Sequence, residues 1–306
     1  MSVKEINLEK ELRTLHASYL NTIKGEITTN SLDKYFDYAK SEKTFSQNNW
    51  IITFPYNFYY TTEKTSLIEI SKLAVTNALL GIYYFKEDNI VDEYHAQPEQ
   101  FKKYVMEFLN ARILKNLSIG QFLTIHKLQN RVKFYTYLYQ TEKTYYEALI
   151  WEKEKKGINL NNYLEYHNLK YLGNKALPIC IPFYSFCLEH SIIDKIEACE
   201  KLIINYHIAH QLLDDLTDIN KDIYKPDLSY FLNVLKIYLK DKDLTLSLVQ
   251  KTIEINDLDF IILKEIKYYL NIAKTAAKTL NFKIFQNDLN RISAGVESYK
   301  RKNNAK

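Results

Sequence analysis

Four carboxylates fall within nine residues of this chain, in the run His210-Gln211-Leu212-Leu213-Asp214-Asp215-Leu216-Thr217-Asp218-Ile219-Asn220-Lys221-Asp222. Asp214, Asp218 and Asp222 recur every fourth residue. At about 100° per residue they drift only about 40° per step, so a helix would project all three from one face. Like charges at that spacing repel. The same face carries His207 and Gln211 but neither lysine nor arginine, and Lys221 lies beside the stripe. Clustered hard oxygens of this kind are the ligands that a divalent cation such as Mg²⁺ takes. The plainer alternative is a solvated acidic face, but such a face interleaves cations at i,i+4.

A second acidic stretch, Asp88-Asn89-Ile90-Val91-Asp92-Glu93, closes a strongly apolar run between Leu73 and Phe85. Asp88 and Asp92 are again four apart on one face. Taken by itself, the stretch reads as a helix end emerging into solvent. Carboxylates at a helix C-terminus oppose the macrodipole, however, and call for another reason to be there. Together the two acidic sites suggest two walls of one metal-holding mouth.

Helices must position these groups. Six glycines and five prolines in 306 residues leave little for sheets and tight turns, so long helices are expected. The periodicity predicts helices over 4–25, 31–45, 64–95, 98–116, 118–140, 142–155, 158–188, 191–223, 226–240, 244–254, 257–280 and 282–301. Trp50 to Tyr60 reads as a buried connector. Pro98 and Pro226 mark helix starts, whereas Pro178 and Pro182 should kink or break the apolar run that holds them. Neither repeat nor linker divides the chain. The expectation is one all-α domain over 1–306, a helical bundle around a central cavity.

Composition narrows the partners. The hydrophobic fraction of 46% and charged fraction of 25% are those of a globular protein. The 41 basic and 37 acidic residues are interspersed, with a net charge of only +4, which is unlike a nucleic-acid-binding stripe. Cys180, Cys187 and Cys199 lack metal-ligand spacing and read as small buried side chains. Their odd number, with no signal peptide, suggests a reducing cytoplasm. Apolar runs are too short for stable membrane insertion. The 26 tyrosines are many, and stacked aromatics can line a pocket and stabilise a cation.

The two acidic motifs resemble those of the class I isoprenoid (terpene) synthases. Asp88 to Asp92 is closest to the DxxxD form found in squalene and phytoene synthases. The second motif fits three patterns at once. Asp214, Asp215, Asp218 and Asp222 lie on the terpene cyclase triad, with Asp in place of Ser/Thr and Glu. Gln211, Asp214, Asp215 and Asp218 match the QxxDDxxD of prenyl-elongating enzymes, and Gln211, Asp214, Asp218 and Asp222 the squalene/phytoene form. The resemblance implies an all-α fold and a cluster of three Mg²⁺ ions held by Asp88, Asp92, Asp214, Asp218 and Asp222. It also implies a prenyl diphosphate substrate whose head is met by basic and polar groups. Lys170, Lys221, Lys225, Gln211 and the C-terminal pair Tyr299 and Arg301 are the candidates. Lys170 and Lys175 flank Gly173, where the family breaks a helix beside the substrate. Many relatives are dimers, so a homodimer is compatible.

Two departures matter. The first motif lacks an adjacent aspartate pair. The Gly-Gly-Lys-x-x-Arg signature for isopentenyl diphosphate is absent, since Gly25 is the only glycine before Gly81. The leading expectation is therefore a terpene synthase: Mg²⁺-dependent ionisation of a linear prenyl diphosphate, then cyclisation or quenching of the cation. Head-to-head condensation of two prenyl diphosphates is the alternative on the same fold. A non-enzymatic helical scaffold binding a basic partner is the alternative of a different class.

Overall fold

A computed structural model describes residues 3–26, 32–40, 53–62, 65–96, 100–124, 126–154, 157–224, 228–240 and 243–304. Among these residues there are helices and turns and no strand. The α-helices are α1 (Val3–Glu26), α2 (Asp33–Lys40), α3 (Leu67–Ala96), α4 (Phe101–Thr124), α5 (Leu128–Glu154), α6 (Tyr166–Asn174), α7 (Ile181–His190), α8 (Ile196–Thr217), α9 (Ile219–Asp222), α10 (Tyr230–Tyr238), α11 (Leu246–Ile255), α12 (Leu258–Thr279) and α13 (Lys283–Asn304). Short 3-10 turns cover Phe54–Tyr60, Leu177–Cys180 and Ile193–Lys195. No described helix is long and apolar enough to cross a membrane. Pro98 and Pro226 lie outside the described residues.

The helices form two compact units. The first comprises Met1–Tyr139, Pro178–Glu197 and Lys278–Asp288. Its axis is α3, buried almost all round from Leu73 to Tyr84, as expected of a core helix. Leu20 and Ile23 of α1, Tyr35 and Phe36 of α2 and Leu114 of α4 pack with Val75, Leu79 and Ile82 in one apolar cluster. The connector before α3 is buried as the sequence suggests. Phe54 and Phe58 interlock edge-on, and Phe58 meets Phe183 and Phe186 of α7 and Phe282 before α13. Asn57 ties this 3-10 turn down: its amide donates to the Phe54 carbonyl, and its oxygen accepts from the Phe285 N–H at the start of α13.

The break expected between 116 and 118 moves, and the one expected between 140 and 142 is absent, because α5 runs unbroken from Leu128 to Glu154. Helix α4 runs through Ser118, whose hydroxyl donates back to the Leu114 carbonyl, and ends at Thr124. The break that follows is held by tertiary bonds: the buried His126 ring bonds Ser185, and the Arg131 guanidinium donates to the His126 carbonyl.

His16 is buried on α1, and burial lowers its pKa from 6.5 to about 3, against a hydrogen bond to the Ala39 backbone that raises it. The unfolded chain therefore binds a proton that the native state refuses. Stability from this group is complete above about pH 6.5 and is lost as pH falls toward 3. His16 by itself should lower the urea midpoint between pH 7.5 and pH 5 by the equivalent of about 2 kcal/mol. His16→Leu should remove that share of the dependence and leave the share of the similarly lowered His207; an unchanged slope would show that His16 contributes none of it.

The second unit comprises Gln140–Leu177, Ala198–Ala277 and Leu289–Lys306. Helix α8 buries Leu202, Ile203, Tyr206, Ala209 and Leu212. Helix α6 lies close against it at Gly173, where an added Cβ would stand 2.6 Å from Ile204 Cγ2 and 2.8 Å from the Ile204 carbonyl oxygen. Trp151 stacks on Tyr171 and tilts against Tyr230. The single predicted helix over 158–188 is divided: α6 stops at Asn174, a 3-10 turn containing Pro178 follows, and Pro182 opens α7.

Candidate active site

The second acidic motif forms the end of α8, a bend, and α9. A continuous helix over 191–223 was expected, but α8 stops at Thr217 and Asp218 adopts φ −101° and ψ 10°. That is the sparsely populated bridge region between helix and strand. The four-residue hydrogen-bond spacing nevertheless survives: Asp218 N–H donates to the Asp214 carbonyl at 2.8 Å, and Asp222 N–H to the Asp218 carbonyl at 2.9 Å.

The bend sorts the acids by environment. Asp214 and Asp218 are both solvent-accessible, and each meets a basic side chain. Asp214 Oδ2 lies 3.0 Å from His210 Nδ1, and Lys221 Nζ donates to Asp218 Oδ1 at 2.9 Å. Asp222 is buried, at 8% exposure, together with Ile219. The three-aspartate outward stripe thus presents two acids to solvent and takes the third inside.

Asp215 belongs to the sequence pattern but not to the expected metal ligands, and the structure gives it a distinct task. It is 2% exposed. Its Oδ1 accepts from Gln211 Nε2 and its Oδ2 from the Phe231 N–H, each at 3.0 Å. Phe231 is the second residue of α10, so the Asp215 carboxylate satisfies an amide that a helix start leaves without an intrahelical partner. Burial, the largest influence, pushes Asp215 up to about 6 against the two hydrogen bonds. Gln211, expected at the diphosphate, is in this structure the partner of Asp215. The signal in the sequence was the Gln211–Asp215 spacing of four; the partner sixteen residues onward was invisible. Asp215→Ala should cost about 1–3 kcal/mol by leaving the Phe231 amide and Gln211 unmatched. Asp215→Asn should recover most of it, because the Gln211 amide can rotate to accept. Denaturant midpoints of the two variants check this; equal losses would contradict it.

The basic candidates fall in different places. Lys221 is exposed on α9. Lys170 is half-buried on α6, with its ammonium 5.2 Å from the Tyr171 ring centre. Lys175 caps the end of α6. It pairs with Glu152 at 2.6 Å, and its charge acts on His207 of α8, whose pKa falls to about 3, mainly through burial and then through His210 and Lys175. Tyr299 is half-buried on α13. Lys225 and the Arg301 side chain lie outside the described residues.

Around these groups the second unit is aromatic. The Tyr230 hydroxyl donates to the Tyr163 carbonyl at 2.6 Å, and the Tyr163 ring stacks on Phe231. Burial raises both phenols above their ordinary range, so they remain neutral.

In the first unit, Asp88 is half-buried near the end of α3. The helix continues past it to Ala96, so the first motif lies within the last turns. Asp92 is on that helix, but its side chain is outside the described residues. Glu87 is buried and accepts from the Tyr83 hydroxyl at 2.6 Å, and the Lys115 ammonium sits 4.9 Å over the Tyr83 ring. This group was overlooked in the sequence, although Tyr83 and Glu87 are one turn apart.

Among the described residues no three His, Cys, Asp or Glu side chains converge on a ready-made metal cage. Mg²⁺ does not require one: it is ordinarily held by one or two carboxylates, with phosphate oxygens and water completing six ligands. Asp214 and Asp218 fit that description in donor type, in exposure and in their spacing of one turn. The same hard oxygens suit neither Cu⁺ nor a structural Zn²⁺ site.

No family model matches the chain, and no curated protein matches it at the level of sequence. Solved structures match its fold. The geranylgeranyl pyrophosphate synthetase of the archaeon Geoglobus acetivorans superposes with a TM-score of 0.64 over 94% of this chain and 98% of its own, at 13% identity. The octaprenyl pyrophosphate synthase of Helicobacter pylori does so with a TM-score of 0.59 over 97% and 99%, at 17% identity. The chain therefore has the all-α fold on which those two pyrophosphate synthases are built.

Proposed function

We propose that this protein uses a prenyl diphosphate as substrate, with Mg²⁺, and breaks the bond between the allylic carbon and the diphosphate. The observation that carries the proposal is the exposed Asp214–Asp218 pair at the bend ending α8, on a fold shared from end to end with two enzymes named as prenyl pyrophosphate synthases. That coverage also supports treating residues 1–306 as one catalytic domain.

Asp214 and Asp218 would hold the cation. When bound, Mg²⁺ neutralises charge on the leaving diphosphate. The remaining steps belong to the chain. Lys221, on the short exposed turn after the bend, can exchange its bond to Asp218 for one to a phosphate oxygen. Asp215, Gln211 and the Phe231 amide fix the end of α8 against the start of α10, which keeps the outward acids in register. The neutral tyrosines nearby offer ring faces to a cation and no phenolate to trap it. Asp88 and Asp92 are retained as further candidates on their motif.

Two fates of the prenyl cation divide the proposal. Transfer to a second isoprenoid, which lengthens the chain, is favoured by the fold shared with the two synthases. Cyclisation or quenching by water is favoured by the missing Gly-Gly-Lys-x-x-Arg signature. Head-to-head coupling of two identical substrates is a third product class for the same assay. The test is purified protein with Mg²⁺ and geranyl, farnesyl or geranylgeranyl diphosphate, with and without isopentenyl diphosphate, following diphosphate release and products. A product lengthened by five carbons only with isopentenyl diphosphate supports elongation. A hydrocarbon or alcohol of unchanged carbon number without it supports the second reading. Failure to release diphosphate from any of these overturns the proposal and favours the scaffold alternative.

A further inference from the structure

Helix α12, Leu258–Thr279, buries Leu258, Ile262, Ile266, Tyr269, Leu270 and Ala273 along one side. At about 100° per residue, Phe260, Ile261, Lys264, Lys267, Tyr268 and Lys274 gather in an arc of roughly 140° on the other side. A solvated helix face interleaves acids with its lysines at i,i+3 and i,i+4. Here no acid stands three or four residues from Lys264, Lys267 or Lys274. Asp257 and Asp259 sit at the helix beginning, where the macrodipole favours them, and Glu265 lies beyond the edge of the arc. Large apolar groups take the place of acids: Phe260, Ile261 and Tyr268 are 44%, 45% and 58% exposed.

We propose that this face of α12 docks the protein on an anionic lipid bilayer. The three lysines meet headgroup phosphates, and Phe260, Ile261 and Tyr268 enter the interfacial layer. Charge complementarity selects an anionic partner. The exposed phenylalanine, isoleucine and tyrosine select lipid over a duplex, whose phosphate backbone offers them nothing to enter, and Ile261 has no ring on which a single-stranded base could stack. The attachment is peripheral and independent of the proposed prenyl chemistry.

The test is sedimentation of the full chain with vesicles of phosphatidylcholine alone or with phosphatidylglycerol added, at low and high salt. Binding is expected to the anionic vesicles alone and should fall at high salt. At about fivefold per lysine, the Lys264→Gln/Lys267→Gln/Lys274→Gln variant should bind about 100-fold more weakly. Phe260→Gln/Ile261→Gln should also weaken binding. Tyr268→Trp in an otherwise unaltered chain should be quenched by lipids brominated on their acyl chains, a readout that survives if the triple variant misfolds. Lack of wild-type binding, a triple variant that binds normally, or absence of quenching overturns the proposal. So does binding that heparin competes for while Phe260→Gln/Ile261→Gln leaves it unchanged; that outcome assigns the face to a polyanion.

Discussion

Asp214→Ala and Asp218→Ala are each expected to lower diphosphate release from an allylic substrate by about 10²–10³-fold, the scale on which a single preorganised electrostatic contact to a leaving group acts. Both side chains are accessible, and neither is needed to satisfy a buried donor. The variants should therefore melt close to wild type and lose activity without losing the fold. Asp222→Ala should behave differently, because Asp222 is buried, and its loss should appear in stability as well as in rate. Raising Mg²⁺ should partly rescue Asp214→Ala if its defect is weakened metal affinity. Single-turnover diphosphate release at several Mg²⁺ concentrations, beside thermal melts, separates these outcomes. Full activity in both exposed-acid variants would remove the observation on which the proposed function rests.

Gly173→Ala is expected to cost about 1–3 kcal/mol, as overpacking of a close-fitted interior does. The added Cβ would stand 2.6 Å from Ile204 Cγ2 and 2.8 Å from the Ile204 carbonyl oxygen. The side chain can yield, but the carbonyl belongs to the backbone of α8. Ile204→Ala should consequently restore the double variant only in part, and Gly173→Val should be worse than Gly173→Ala. Gly120 and Gly295 serve as controls. Both are helical with nothing within 4 Å of an added Cβ, so alanine there should stabilise by about 0.5–1 kcal/mol. Urea denaturation of the three alanine variants tests the contrast. A Gly173→Ala protein as stable as the controls would mean that α6 and α8 part without cost.

The all-helical class was legible because glycine and proline are so scarce, and α3 because its apolar run is nearly unbroken. The interruption after Gly173 was legible too, since Pro178 and Pro182 act on the backbone locally. What escaped the sequence depends on partners far along the chain. The end of α4 is fixed by His126 reaching Ser185, 59 residues on. The place of Asp215 depends on an amide of a helix that has not yet begun. Helical periodicity put Asp214 and Asp222 on one face, yet one bend was enough to leave the first in water and the second inside. On sequence, Lys170 stands in for an arginine that the 158–188 segment lacks, whereas the pairing of Lys175 with Glu152, 23 residues earlier, depends on how α5 and α6 pack.

The bend at Asp218 bears on how relatives of this chain should be read. Its backbone angles are open to any L residue, and its side chain makes no capping hydrogen bond to α9. The chain trace therefore asks nothing of the carboxylates at 214 and 218, and a descendant that lost its chemistry would let both drift. Position 215 is under a different obligation, because its carboxylate receives the Phe231 amide. In a collection of divergent homologues, aspartate at 214 and 218 is thus the witness of a working enzyme, and an aspartate at 215 says mainly that α8 still meets α10.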